Sequence, residues 1–536
     1  MKNKIFGLLL LSVMIFFSCS EELEVTPPNN IVDEQIKEIL TSGDTVKIKA
    51  IMEGMANNMP KMFNTSGISG AGTADGRYRS CQGMDAMRNL EGNDIVFGAK
   101  NLSIFGSDEY YLRDFTSTAV DKNWVYWQSS WSIITTANKM LNNLDDAIVG
   151  NSKHLKEYKA RGLVVRAYAY NYLMENYQDA YLQGGKDKLG IMLYDYYSPL
   201  QPSKPRASAV DTYNFIKKDL QDAVTLMTQA EKGFTTTVLT DIDLGVAHFL
   251  LARVALITGD WATAISSCDA ILAKYPNLMG ENVYGGTKNV GTAAVPEIRP
   301  ETNGFLYNNV NPEVILGWPV GEALTAHNSW MNPFAEGNGG LGEGFARIDN
   351  RLYDKINPDD YRKNCFLAED LGDYTYPTKS TIRFIPAYTN LKFAATHGIG
   401  TNDKKNVGTV TCYYMRTSEV LLMKAEAQAQ SGKEGDAKTT LNILLKARTK
   451  AGATPLTCDT YSSMAGMTAL QMVQLQTRIE LWGEGGREFF NNKRWGIPVD
   501  RTSSANHVDK GKLSVSAMTL QIPESEMLYN PLCEQN

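Results

Sequence analysis

Apolar residues recur at three- and four-residue spacing through several long stretches of the chain, the period of a helix with one buried face. In residues 241–275 the repeating positions are Leu244, Ala247, His248, Leu251, Val254 and Ala255. Gly259-Asp260 interrupts the pattern. Trp261, Ala264, Ile265, Cys268, Ile271 and Leu272 resume it, and Pro276 closes it. This predicts two amphipathic helices joined by a Gly-Asp turn, with the small side chains of Ala247, Ala252 and Ala255 letting the pair approach closely.

Residues 416–451 repeat the arrangement. Leu421, Leu422, Ala425 and Ala429 mark a first helix, Ser431-Gly432-Lys433 the turn, and Ala437, Leu441, Leu444, Leu445 and Ala447 a second helix, with Ala451-Gly452 as its cap. Residues 124–148 and 154–181 carry the same period, and 208–230 would pair with the latter. The chain therefore reads as mostly α, with about four helix pairs that resemble tetratricopeptide repeats. Long irregular stretches separate them, which a regular array would not tolerate. Residues 280–350 are rich in Gly, Asn, Pro and aromatics and show little periodicity apart from an apolar run at 313–316, a short strand. Residues 63–123 are similarly irregular, with Gly67, Gly70, Gly72 and Gly76 close together. Loops this long in a compact protein are functional or disordered, and their aromatic content argues for the former.

The amino terminus follows another rule. Lys2 and Lys4 precede an apolar run over 6–17, followed by Ser18-Cys19. A run of about a dozen apolar residues has the length of a secretory leader and is too short for a stable membrane span. Phe16-Phe17-Ser18-Cys19 resembles a bacterial lipobox, with Phe16 where Leu is usual. The expected processing removes residues 1–18 and leaves Cys19 as a lipidated terminus. Ser20-Glu21-Glu22 behind it is similar to the surface-export signal of Bacteroidetes lipoproteins. Residues 19–30, with Pro27-Pro28, then form a tether, and 31–536 a single body with irregular insertions near 63–123 and 280–410.

A formal net charge of −6 removes nucleic acid from the list of partners, because that function needs clustered basic charge. The 26 Tyr, 18 Phe and 8 Trp suit stacking on sugars and helix packing equally well. Besides Cys19 there are Cys81, Cys268, Cys365, Cys412, Cys458 and Cys533. None forms a C-x-x-C pair, so buried free thiols are expected, with one disulfide as the alternative in an exported protein, and with no metal and no cofactor. The five histidines are scattered, and neither H-E-x-x-H nor G-x-S-x-G occurs. His248, on an apolar face, reads as a satisfied core residue. Residues 337–342 match G-x-G-x-x-G but neither follow a strand nor open a helix, so they read as a loop. No catalytic residue is assigned, and the protein is not expected to be an enzyme.

Three blocks carry a resemblance. Arg416-Thr417-Ser418-Glu419-Val420-Leu421-Leu422, with Ala425-Glu426-Ala427, is the first. Glu480-Leu481-Trp482-Gly483-Glu484-Gly485-Gly486-Arg487 through Lys493-Arg494-Trp495 is the second, with Asn491 where Asp is usual. The third is Ile522-Pro523-Glu524-Ser525-Glu526 with Asn530-Pro531. In order and spacing they resemble the SusD/RagB family of nutrient-binding outer-membrane lipoproteins. The resemblance implies a SusD-like fold, a surface-exposed, lipid-anchored protein and a SusC-like TonB-dependent transporter as partner. It implies an oligosaccharide ligand, or a peptide in the RagB branch; a helical-repeat interaction scaffold is the remaining alternative. Glu480, Arg487 and Arg494 are expected on one long helix, holding the fold together without touching ligand.

A neutral glycan is bound by an aromatic platform with hydrogen-bonding groups around it. Such aromatics belong on loops, since those on helix faces are used in packing. The irregular regions supply Trp330, Tyr284 and Phe334 with Asn328 and Asn332, and Tyr78 with Arg79. Trp318, following the apolar strand, is assigned to the core.

Overall fold

The computed structural model describes residues 33–56, 81–97, 110–112, 115, 121–235, 237–285, 287–288, 297–298, 303–306, 309–319, 346–376, 381–394 and 411–536. Its helices longer than two turns are α1 (Asp33–Thr41), α2 (Thr45–Ala56), α3 (Cys81–Glu91), α4 (Asp121–Leu141), α5 (Lys153–Tyr177), α6 (Ala209–Gln229), α7 (Leu244–Thr258), α8 (Trp261–Leu272), α9 (Thr417–Gln430), α10 (Glu434–Ala447), α11 (Ala469–Glu480) and α12 (Arg487–Trp495). From α4 to α10 each packs on the next, and α2 lies on α5. The row continues across the irregular residues between α8 and α9, because those two helices pack directly on each other.

The α7–α8 hairpin shows why this sequence makes these elements. The Asp243 carboxylate accepts the Val246 N–H at 3.1 Å and so caps α7. Gly259 ends it at φ 78°, a left-handed position where other residues are strained. The Asp260 side chain then caps α8 through the Thr263 N–H. Ala247, Ala252 and Ala255 are fully buried between helices, as their size predicts. One buried apolar cluster extends from Ile36 to Cys533. Cys268, Cys365, Cys458 and Cys533 are buried free thiols in it, in line with expectation.

Two features depart from the sequence reading. Residues 63–123, read as irregular, contain α3, which packs on α12. Glu480, Arg487 and Arg494 do not share one helix. Glu480 ends α11 and Arg487 begins α12, with Gly483, Gly485 and Gly486 at φ 75°, 54° and 64° between them. Gly486 combines that backbone with contact: a Cβ there would meet Arg88 Cβ at 2.9 Å and the Asp85 carbonyl at 3.2 Å. Gly486→Ala is therefore expected to lower stability by about 1–3 kcal/mol, measured as a shift in the urea midpoint. An unchanged midpoint would show that the turn relaxes freely.

The strands are short and form two-stranded antiparallel ribbons: β1 (Ile95–Val96) with β5 (Arg347–Ile348), β2 (Thr287–Lys288) with β3 (Glu297–Ile298), β4 (Val314–Pro319) with β8 (Thr411–Arg416), β6 (Gly372–Tyr376) with β7 (Thr381–Ile385), and β9 (Val499–Asp500) with β10 (Lys512–Leu513). The apolar run at 313–316 thus does open a strand. Its partner β8 lies far along the chain and was not anticipated.

Candidate functional site

The residues proposed from sequence divide into two groups. Trp330, Asn328, Asn332, Phe334, Tyr78 and Arg79 lie outside the described residues, as do Cys19 and the glycine-rich 337–342. Tyr284 is described, and it is not on the surface. It is 5% exposed, with its ring edge-on to Phe305 at 4.8 Å and the Arg448 guanidinium 4.7 Å above it. Its hydroxyl donates to the Glu480 carbonyl at 3.4 Å. The ring fills space between irregular chain and α11 and shields a buried cation, so Tyr284 is structural and leaves the ligand face.

The ribbons determine how the irregular chain leaves the framework. Val96 of β1 pairs with Arg347 of β5, so the chain departing at Phe97 runs beside the chain arriving at Ala346. Pro319 of β4 pairs with Thr411 of β8, so departure at one strand end lies beside arrival at the other. Asn390 donates from its backbone and side chain to the Ala346 carbonyl, each at 3.0 Å, and the Asn303 amide donates to the carbonyls of Lys392 and Ala394. The flanks of 98–109, 320–345 and 395–410 are thereby stitched together.

A buried charge network holds this frame to the helices. The Glu480 carboxylate accepts from Arg416 at 2.7 Å, from Arg448 at 2.8 and 3.0 Å, and from Arg362 at 3.0 Å. Glu313 accepts from Arg416, Arg448, Ser418 and the Met279 N–H. Glu484 accepts from Arg416 and Lys392, and Asp360 from Arg362. Glu313, Asp360, Glu480 and Glu484 thus face Arg362, Lys392, Arg416 and Arg448, and the buried charges balance. Burial alone would raise the Glu480 carboxyl, but Arg448, Arg416 and Arg362 outweigh it and hold the group well below the usual carboxylate range. Arg416 is the last residue of β8, so the network clamps that ribbon to α11. Arg487 pairs with Glu175 of α5, and Arg494 with Glu426 of α9. All three residues of the second sequence block therefore link elements, in the structural role expected of them.

Beside the network lies a narrow cleft with room for little more than water, about 30 Å³, lined by Asp85, Tyr168, Asn171, Tyr172, Glu175, Arg253, Tyr413, Glu419 and Arg487, among others. Arg253 pairs with Glu419 at 2.6 Å. The buried Asp85 Oδ1, Asn171 Oδ1 and Arg253 Nε have no hydrogen-bond partner. Burial pushes the Asp85 carboxyl up to about 7, against the pull of the Arg487 and Arg253 guanidiniums and with help from Glu175. Sequence reasoning missed these residues. The available signal was α5, where Tyr168, Asn171, Tyr172 and Glu175 fall at helical spacing on one face.

Neither histidines nor carboxylates assemble a reaction centre among the described residues. His507 is buried between the Tyr110 hydroxyl and the Asn93 carbonyl. His248 stacks on Phe234, but its buried Nδ1 has no partner, so it is not the fully satisfied residue expected. No group of three or more His, Cys, Asp or Glu able to hold a metal is present among the described residues. No helix among them is long and apolar enough to cross a membrane.

Residues 268–530 match the family model described as the SusD family, and residues 86–256 match one described as starch-binding, associating with outer membrane. The chain belongs to the SusD/RagB family. The solved structures it resembles agree in fold. A SusD-like carbohydrate binding protein from Bacteroides vulgatus is 20% identical, with 90% of this chain and 97% of that one covered and a TM-score of 0.66. A SusD superfamily protein from Bacteroides thetaiotaomicron is 17% identical, with coverage of 91% and 99% and a TM-score of 0.67. Another from Bacteroides fragilis is 18% identical, with coverage of 90% and 98% and a TM-score of 0.66. No curated protein matches the chain. The helical row with its irregular insertions is thus a SusD-like fold.

Proposed function

We propose that this SusD/RagB protein binds an oligosaccharide at the cell surface and delivers it, uncleaved, to a TonB-dependent outer-membrane transporter. The match of residues 86–256 to a model described as starch-binding and associating with outer membrane carries this reading. The ribbon ends support it, because they gather the flanks of residues 320–345, the stretch that carries Trp330 and Phe334. Trp330 and Tyr78 form the stacking platform, with Phe334 beside them and Arg79, Asn328 and Asn332 bonding the sugar hydroxyls.

Truncation of such an aromatic anchor removes about 2 kcal/mol, roughly thirtyfold in affinity. Trp330→Ala is expected to weaken glycan binding by about that factor in calorimetry and to leave the melting temperature unchanged. A large fall in melting temperature, or unaltered affinity, would remove Trp330 from the site. Anchoring is the other half of the proposal. Cys19 carries the lipid that holds the protein on the outer membrane facing outward, and Cys19→Ala should release soluble protein or leave a retained precursor. Membrane fractionation identical to wild type would refute the lipid anchor.

A further inference from the structure

We infer that the body of the protein rests on a phospholipid bilayer through a rigid apolar platform, formed by residues 194–202 beside α4 and α5 and by the short helix Glu524–Tyr529. The inference rests on the proposed lipid anchor at Cys19 and is independent of the glycan reading. Leu200 is 91% exposed and Tyr529 85%, and Tyr196 and Leu528 are exposed with them. Single apolar residues are ordinary on a protein surface, whereas a group of them marks a protein or membrane contact. These four stand together. Asn530, next to Tyr529, donates to the Lys204 carbonyl at 3.1 Å, and the Lys204 ammonium lies 5.9 Å from the Tyr196 ring. All four fall within the stretches that match the two family models.

The platform is held from beneath. Every backbone carbonyl from Tyr194 to Tyr197 accepts from a side chain of the α4–α5 pair. Asn138 and Tyr170 donate to Tyr194, Arg166 to Asp195, Asn138 to Tyr196, and Asn142 to Tyr197 at 2.7 Å. The Tyr194 and Tyr197 N–H groups donate back, to the Tyr170 hydroxyl and the Asn142 carbonyl oxygen. Pro199, Pro202 and Pro205 restrict the backbone that follows. In the helix Glu524–Tyr529, Met527 packs against the core and Glu526 accepts from the Trp127 indole at 3.3 Å, which turns Leu528 and Tyr529 outward. Apolar side chains on so fixed a backbone lose little entropy when they are covered.

The surroundings point to lipid as the occupant. Lys139 lies 4.5 Å over the Tyr197 ring and Lys204 5.2 Å over that of Tyr194. Tyrosines with lysines beside them suit the headgroup level of a bilayer, with leucine reaching the acyl boundary. Asp195 and Glu524 are exposed on the same rim. A rim of both signs around an apolar centre complements the phosphate and ammonium of phosphatidylethanolamine. The tether also reaches. Residues 19–32 extend to at most about 50 Å and lead into α1, which packs on α2, and α2 lies on α5. Burial, with Glu53 of α2 close by, raises the Tyr158 hydroxyl of α5. One turn on, Gly162 packs on Leu141, next to the Asn142 that clamps Tyr197. The anchored segment and the platform therefore share one end of the α4–α5 pair. Several acyl chains on Cys19 would hold the protein on the membrane unaided, so the platform sets the orientation of the body on its tether.

The test uses the lipidated full chain in vesicles of phosphatidylethanolamine and phosphatidylglycerol. A nitroxide is attached at Leu200→Cys and, as a control, at Ile443→Cys on α10, an exposed position at the far end of the helical row. Both side chains are exposed, so both variants should keep the wild-type melting temperature. The unsubstituted protein, treated identically, gives the background from its own thiols. Collision of each label with oxygen, which concentrates among acyl chains, is compared with collision with a water-soluble nickel chelate. The oxygen-to-nickel ratio at Leu200 is expected to exceed that at Ile443 severalfold, and the excess should vanish when Cys19→Ala removes the anchor. Equal ratios at the two positions in lipidated protein would overturn the inference and leave the anchor standing. An unmodified Cys19 in mass spectrometry would refute the anchor and the platform with it. A second copy of the chain is the other candidate occupant. If light scattering shows that the lipid-free protein is a dimer and Leu200→Asp a monomer, the platform is a self-association surface and the bilayer contact is wrong.

Discussion

Replacing Glu480 with glutamine is expected to lower folding stability by about 3–5 kcal/mol, because removing one partner of a buried ion pair leaves the others uncompensated. Here Arg362, Arg416 and Arg448 all bond the same fully buried carboxylate. The glutamine preserves shape and one acceptor, so the loss reports charge. Urea unfolding of the variant gives the magnitude. Lys218→Ala is the control, since its pair with Asp222 is exposed and worth less than about 1 kcal/mol. If Glu480→Gln costs no more than that control, the network does not clamp β8 to α11.

Asp85 provides the second large effect, one that depends on pH. Burial raises its carboxyl to about 7, well above the unfolded value of roughly 4. Between those values the folded protein holds a proton that the unfolded chain has released. Stability from this group is therefore full below about pH 4, falls as pH rises through 7, and is gone above it. The total is on the order of 4 kcal/mol at about 1.4 kcal/mol per pH unit. Asp85→Asn cannot ionise, so its stability relative to wild type should widen by that order between pH 4 and pH 8. Glu488, raised by burial to about 8, and Lys493, lowered by burial to about 7, titrate in both proteins and cancel in the difference. A difference that stays constant across this range would mean that Asp85 ionises normally in the folded state.

The helical row was legible because its signals are local. The three- and four-residue period, the Asp243 and Asp260 caps and the Gly259 turn are all written within a few residues of the structure they cause. The ribbons were not legible. β1 and β5 are two residues each and lie hundreds of positions apart, so no short-range pattern reports their pairing. The break between α11 and α12 is written in Gly483, Gly485 and Gly486, whereas the spacing of Glu480, Arg487 and Arg494 alone points to one continuous helix. Tyr284 shows the limit of reasoning from context. A Gly- and Asn-rich stretch predicts a loop, yet says nothing of which way a ring on that loop turns, and this one covers Arg448. Of the chain's 59 acidic residues, nothing in the sequence marks Asp85 as one the helices enclose.

The most direct test of the account is calorimetric titration of the lipid-free protein with a panel of oligosaccharides, followed by mass spectrometry of the recovered ligand. The account predicts saturable binding of at least one oligosaccharide, weakened about thirtyfold by Trp330→Ala, with the glycan recovered intact after prolonged incubation. Binding to peptides but to no saccharide, or cleaved product that accumulates with time, would contradict it.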